Sequence, residues 1–217
     1  MYPYYDIHTH ADTRDIDNCV SIKNLYDGFD TMQEGGLYSI GLHPWYLKDS
    51  EADFRQLHHY AGQKNVLAVG ECGLDKLCDT DMALQSKVFR KQIILANHYY
   101  KPLVIHCVQA YPALEEQLKQ VPANVPVIIH GFNKKTTIAA PLLKSGYYLS
   151  FGASIMTEDA ANAAVLKNID SNKFFLETDN SGTSIVDIYK KAAEIRETNL
   201  DTLILQVHNN FQSVFKG

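Results

Sequence analysis

The sequence predicts an α/β fold, a small and distorted (β/α)8 TIM barrel, on three observations. Eight short apolar, β-prone runs recur along the chain, at residues 4–8, 19–25, 37–42, 66–70, 103–107, 127–130, 147–151 and 174–176. Several are nearly continuous in Val, Ile and Leu, the pattern of parallel strands buried on both faces. Helix-like segments separate most of them, the alternation that a parallel sheet requires. The third observation is that most of the runs end in His, Asp or Glu, and barrels of this type build their sites at the carboxyl ends of the strands. A doubly wound open sheet is the alternative.

The first run leads into Asp6-Ile7-His8-Thr9-His10. Side chains alternate along a strand, so two histidines two apart project to the same side. Only residues 11–18 separate His10 from the second run, too few for a full helix, and residues 27–36 are similarly short. The first crossovers are therefore expected to be reduced to loops. A helix is expected over 50–64, opening with Ser50 and acidic residues. Another spans 81–100, with Phe89, Ile93, Leu95 and Ala96 on its apolar stripe, and stops before Lys101-Pro102. Helical patterns follow at 111–120, 135–145, 157–168, 183–198 and 201–215.

A length of 217 residues suits one domain, 1–217, with a substantial core. Hydrophobic residues make up 46% and charged residues 21%, which excludes a disordered chain. The net charge of −5 argues against a broad basic surface tracking a long nucleic acid. It leaves room for a small phosphate-bearing substrate met by metal ions and a few lysines. No basic leader precedes the first run and no run of about 18 apolar residues occurs, so neither a signal peptide nor a membrane span is expected. Cys19, Cys72, Cys78 and Cys107 lack CxxC spacing, which reads as reduced thiols in a cytoplasmic protein. No obligate protein partner is evident.

The run ends carry the chemistry. They present His8 and His10, His43 in GLHPW, Glu71 and Asp75 in VGECGLD, His106, His130, and Glu177-Thr178-Asp179. Any one of these reads equally well as a helix cap or a loop hydrogen bond. Together, imidazoles and carboxylates converging on one barrel mouth are costly unless a metal uses them. They are the donors expected for a pair of divalent ions. His58, His59 and His98 fall on helices and read as surface or packing residues, and His208 reads as structural. Cys72 and Cys107 face away from the neighbouring ligand candidates and read as packing residues, whereas Cys78 reads as a surface thiol.

In order, DIHTH, GLHPW, VGECGLD, the F-x-x-Q-I-x-LA of residues 89–96, PLVIHC, IIHGF and LETDN resemble the motifs of the TatD-like metal-dependent hydrolases, amidohydrolase-type barrels. The resemblance runs from Asp6 to Asn180. It implies a (β/α)8 fold, two divalent ions (Zn, Mn, Mg, Ni or Fe) and hydrolysis of phosphodiester bonds, with DNA or a small phosphodiester as the partner. It further implies that His8 and His10 bind the first ion, Glu71 bridges both, and His106 and His130 hold the second. Asp179 would complete the first ion and touch the attacking water, and His43 would line the pocket beside the reacting group.

The departures fall on expected substrate contacts. Val108 stands where the family has Arg, the usual HCFSG reads His130-Gly131-Phe132-Asn133-Lys134, and the usual ETDAP reads Glu177-Thr178-Asp179-Asn180-Ser181. Lys76, Asn133 and Lys134, with Lys135 nearby, are the candidate substrate contacts, the lysines acting as point charges without the fork of Arg. Hydrolysis of an amide, ester or lactone is the rival enzymatic reading, and a degenerate non-enzymatic barrel is the other.

Overall fold

The computed structural model describes residues 2–11, 18–48, 51–157 and 160–216. Its strands are β1 (Tyr4–Thr9), β2 (Cys19–Leu25), β3 (Leu37–Ile40), β4 (Val66–Asp75), β5 (Leu103–Val108), β6 (Val127–Ile129), β7 (Tyr148–Phe151) and β8 (Phe174–Leu176). They lie in one sheet in chain order, with β1–β2, β3–β4, β4–β5 and β7–β8 paired in parallel. A doubly wound sheet would reverse its order at a switch point; this one does not. The helices are α1 (Glu51–Ala61), α2 (Met82–Tyr99), α3 (Tyr111–Gln120), α4 (Thr136–Lys144), α5 (Ala163–Asn168), α6 (Ile185–Ile195) and α7 (Leu200–Phe215). Between β2 and β3 only a 3-10 turn forms, Phe29–Thr31, as the short spacing predicts.

Two elements differ most from expectation. The fourth strand continues past Gly70 to Asp75. The fifth helix covers only Ala163–Asn168, and Ala153–Met156 forms a separate 3-10 turn ahead of it. The buried Asn162 amide holds the segment before that helix open by donating to Phe132 O (2.7 Å) and Ser154 Oγ (2.9 Å). Ser50, expected to open the first helix, lies outside the described residues.

The chain forms two compact units, Asn24–Ile128 and Met1–Lys23 with Ile129–Gly217. In the unit Asn24–Ile128, β4 and β5 approach so closely that a Cβ on Gly73 would sit 2.1 Å from the His106 carbonyl oxygen. Gly73 also has φ +140°, a backbone conformation that glycine alone adopts readily. The VGECGLD glycine is thus the condition for β4 to lie against β5. Helix α2 starts on the Asp81 carboxylate, which accepts from the Ala83 and Leu84 amides at 2.9 and 3.2 Å. It buries Phe89, Ile93, Leu95 and Ala96, as its apolar stripe predicts.

Two further residues on α2, Gln85 and Gln92, are also buried, and being seven apart they share a face. Each substitutes for a strand neighbour. Gln92 accepts from Leu42 N (2.8 Å) and donates to Leu42 O (3.1 Å). Gln85 does the same for Asp75, at 2.7 and 2.9 Å. The backbone just before His43 and the end of β4 are therefore fixed from one helix.

In the other unit the edge of β1 is completed by a side chain. The buried Tyr189 hydroxyl accepts from Tyr5 N (3.0 Å) and donates to Tyr5 O (3.1 Å). The Tyr5 hydroxyl in turn meets His208 Nδ1 at 2.8 Å, the structural role expected of His208. Of the cysteines, Cys72 and Cys107 are buried, as expected, while Cys78 is half-buried against Gln85 rather than at the surface. Among the described residues no helix is long and apolar enough to cross a membrane. Tyr189→Phe removes one hydroxyl and leaves two buried backbone groups unsatisfied, so it is expected to cost about 1–3 kcal/mol. Urea unfolding followed by circular dichroism measures this loss.

Candidate metal centre

The sequence-predicted residues gather in two clusters. In the unit Asn24–Ile128, His43, Glu71 and His106 offer donor atoms within 4.8 Å of one another. Glu71 is buried near the middle of β4, and its amide is held by Asn24 Oδ1 at 2.7 Å. Asn24 also accepts from Ser39 Oγ (3.0 Å), so β2, β3 and β4 meet on one amide oxygen. His43 opens the 3-10 turn Pro44–Tyr46, and its Nδ1 accepts from Trp45 N at 3.1 Å. That leaves its Nε2 facing Glu71 Oε1 at 3.1 Å.

His106 stands on β5 with both ring nitrogens facing carboxylates. Nδ1 lies 2.8 Å from Glu71 Oε1, and Nε2 lies 2.9 Å from Asp75 Oδ2. Asp75 also accepts from the Trp45 indole (2.6 Å) and from Leu77 N (2.7 Å). Burial opposes its charge, yet these hydrogen bonds from Trp45, His106 and Leu77 outweigh it and hold its pKa below the ordinary value. An ionised Asp75 accepts a hydrogen bond from His106 Nε2–H, which leaves the Nδ1 lone pair pointing toward Glu71. Two lone pairs cannot face each other at 2.8 Å without a cation between them, a proton or a metal ion. Two imidazoles and a carboxylate are also the donor types that divalent transition ions take.

In the other unit, His8, His130 and Asp179 form the second triad, again with donors within 4.8 Å. His8 and His130 rings lie 4.2 Å apart, and His10 stands 5.2 Å from His8. Asp179 Oδ1 is 3.7 Å from His8 Nε2 and 3.5 Å from His10 Nε2. The backbone explains the convergence. Asp179 N donates to His8 O (2.9 Å), and His10 N donates to Asp179 O (3.3 Å). Asp179 itself adopts φ +52°, which aspartate tolerates better than most residues. Its side chain remains 42% exposed, in contrast to the fully buried His8.

The carboxylates beside these residues act on the backbone and were not assigned a role from the motifs. Asp6, buried, accepts from Thr178 N (2.9 Å) and Thr178 Oγ1 (2.6 Å), joining DIHTH to LETDN. Burial pushes its pKa up to about 7, against the pull of the Thr178 hydrogen bonds. Glu177 accepts from Gly131 N (2.7 Å) and faces His130 Nδ1 at 3.3 Å. Burial works against its charge, but His130 and His8 hold its pKa below the ordinary carboxylate value. The signal for Asp6, Asp75 and Glu177 was present, since each sits inside a motif, one or two places from a ligand candidate along the strand or four beyond it.

Of the remaining predicted residues, Lys76 follows β4, exposed, and Asn133 and Lys134 lie exposed and half-buried in the loop after β6. Val108 is the last residue of β5.

The family model described as TatD related DNase matches residues 6–216. The chain belongs to this family. Among its TatD relatives is an uncharacterised metal-dependent hydrolase of Bacillus subtilis, YabD. It is 28% identical over 195 residues, covering 82% of this chain and 76% of YabD. The human 3'-5' RNA nuclease TATDN2 is 34% identical over 148 residues, which cover 65% of this chain and 19% of that protein. The solved structure of the Escherichia coli TatD homologue YjjV superposes with a TM-score of 0.85 at 21% identity. That match covers 99% of this chain and 98% of YjjV and gives the fold as a TIM barrel.

Asp75→Asn replaces an acceptor that three donors share with an amide that must turn one N–H toward some of them. It is expected to release the His106 tautomer, read from the ring nitrogen shifts by NMR, and to weaken divalent-ion binding roughly 10- to 100-fold by calorimetry.

Proposed function

We propose that the protein is a metal-dependent hydrolase of phosphodiester bonds in single-stranded nucleic acid. The observation that carries this reading is the pair of imidazole–carboxylate triads, each drawn from different strands and the loops that follow them. His43, Glu71 and His106 would hold one divalent ion, and His8, His130 and Asp179, with His10 beside them, another. Bound there, divalent ions polarise phosphoryl oxygens and make water a usable nucleophile near neutral pH.

The chain's own groups divide the remaining work. Asp179 is the carboxylate open to solvent, so its Oδ1 can accept a proton from an attacking water. Glu71 is buried and flanked by two imidazoles, which suits it to holding charge in a fixed place. Asp75 orients His106, and the indole of Trp45 shares the same carboxylate oxygen, Oδ2. Lys76 and Lys134 supply positive charge on the loops after β4 and β6, where they would meet phosphate. The name of the family model and of the human relative TATDN2 both favour nucleic acid over an amide or lactone.

The test combines elemental analysis with a substrate panel of a single-stranded oligonucleotide, a phosphomonoester and a lactone. Divalent ions are expected to co-purify or to be required. The oligonucleotide should be the substrate turned over, and Glu71→Gln and Asp179→Asn should each lower kcat by roughly 10²–10³. Turnover of the lactone alone, or full activity in Asp179→Asn with its metal retained, would overturn the reading.

A further inference from the structure

We infer that the cavity beside His43 is a stacking subsite for an unpaired nucleobase, an inference that rests on the nuclease reading above. The cavity measures about 580 Å3, within the range of small-molecule pockets. Tyr26, Trp45 and Tyr46 line it together with His43. Tyr26, Trp45 and Tyr46 are 36%, 54% and 52% exposed. Tyr26 and Tyr46 are stacked on each other, with centroids 4.5 Å apart and planes 25° from parallel.

The platform is held in place although it is open. Trp45 donates its indole N–H to Asp75 at 2.6 Å, and its backbone N–H goes to His43 Nδ1 at 3.1 Å. Pro44 begins the turn and limits its backbone. A ring that is anchored and exposed loses little freedom when a flat ligand covers it, so stacking there is favoured. Every base has a π-face, and single-stranded nucleic acid is gripped in this way.

Charge decides which end of a nucleotide enters. Asp27 and Asp53 also line the cavity, with Lys48 as the cation among the lining residues. Two carboxylates against one ammonium repel a phosphate, so the uncharged base occupies the cavity. His43 connects the two regions: its ring lies 5.3 Å from Trp45 and 5.6 Å from Tyr46, while its Nε2 faces Glu71. A nucleotide with its base on the platform would have its phosphate directed toward the Glu71 triad. A duplex, whose bases are already stacked on one another, gains nothing from the platform.

The chain has one tryptophan, so its fluorescence reports this cavity directly. In chelator-treated protein, adenosine is expected to quench Trp45 emission, whereas ribose 5-phosphate is not. Tyr46→Ala and Tyr26→Ala should each weaken adenosine binding roughly tenfold and raise KM for a single-stranded oligonucleotide by a similar factor. Circular dichroism of the variants confirms that they fold. Quenching by ribose 5-phosphate but not adenosine, or unchanged adenosine binding in both folded variants, would overturn the subsite. If the oligonucleotide is cleaved while adenosine leaves Trp45 unchanged, the subsite fails and the nuclease reading stands. If adenosine binds as expected but no phosphodiester is cleaved, the subsite is supported and the nuclease reading fails.

Discussion

One carboxylate oxygen, Glu71 Oε1, takes two imidazole nitrogens at 2.8 and 3.1 Å, and the unit Asn24–Ile128 is built so that it can. Such an arrangement tolerates little drift, because a buried carboxylate that loses its partners is left with its full desolvation cost. Each neighbouring element removes one freedom. The bare α-carbon of Gly73 lets β4 lie against β5 and so sets the distance from Glu71 to His106. Asn24 fixes the Glu71 amide, and Gln92 fixes the backbone that delivers His43. Asp75 fixes the ring of His106, and Gln85 fixes Asp75.

The unit containing both termini meets a similar need with different means. β8 is three residues long, and beyond it a single parallel bridge between Thr9 and Asp179 carries Asp179 to His8. The buried Asp6 carboxylate adds to this by accepting from both the amide and the hydroxyl of Thr178. The Thr178 hydroxyl, donating to Asp6, also accepts from the Thr9 hydroxyl 2.9 Å away, so two motifs far apart in sequence share one hydrogen-bond network. Glu177 does the same for the turn at Gly131. In both units an acidic residue close to a metal-ligand candidate supports backbone or ring geometry, and the ligand candidates themselves are mainly imidazoles.

This division explains what the sequence could show. Strand order is legible, and His8, His43, Glu71, His106, His130 and Asp179 stand out as candidates, because each lies in or just after an apolar run, and the run announces the strand. Asp6, Asp75 and Glu177 stand inside the motifs, but the partners they act on do not show in the sequence: Asp6 holds Thr178, 172 positions away. The full length of β4 was hidden for a related reason. Glycines at 70 and 73 read as turn residues, whereas here they permit close packing within a strand. Helix α5 is shorter than its periodicity suggests because Asn162 spends its amide on Phe132 and Ser154. Tyr26 and Tyr46 belong to different loops, and only the fold makes them one surface.

The aromatic cavity also resolves a tension in the composition. A net charge of −5 argues against a broad basic surface, through which most nucleic-acid proteins gain affinity by releasing counterions. Val108, in place of the arginine seen in the family motif, removes one more charge from the end of β5. A nucleotide can still be held if its two halves are recognised separately. On the proposed reading, metal ions held at the triads would supply positive charge to a phosphodiester there, without adding to the charge of the polypeptide. Uncharged ring faces would supply contact to the base, and stacking depends little on salt. The two acidic residues of the cavity would then keep the phosphate from binding at the wrong end.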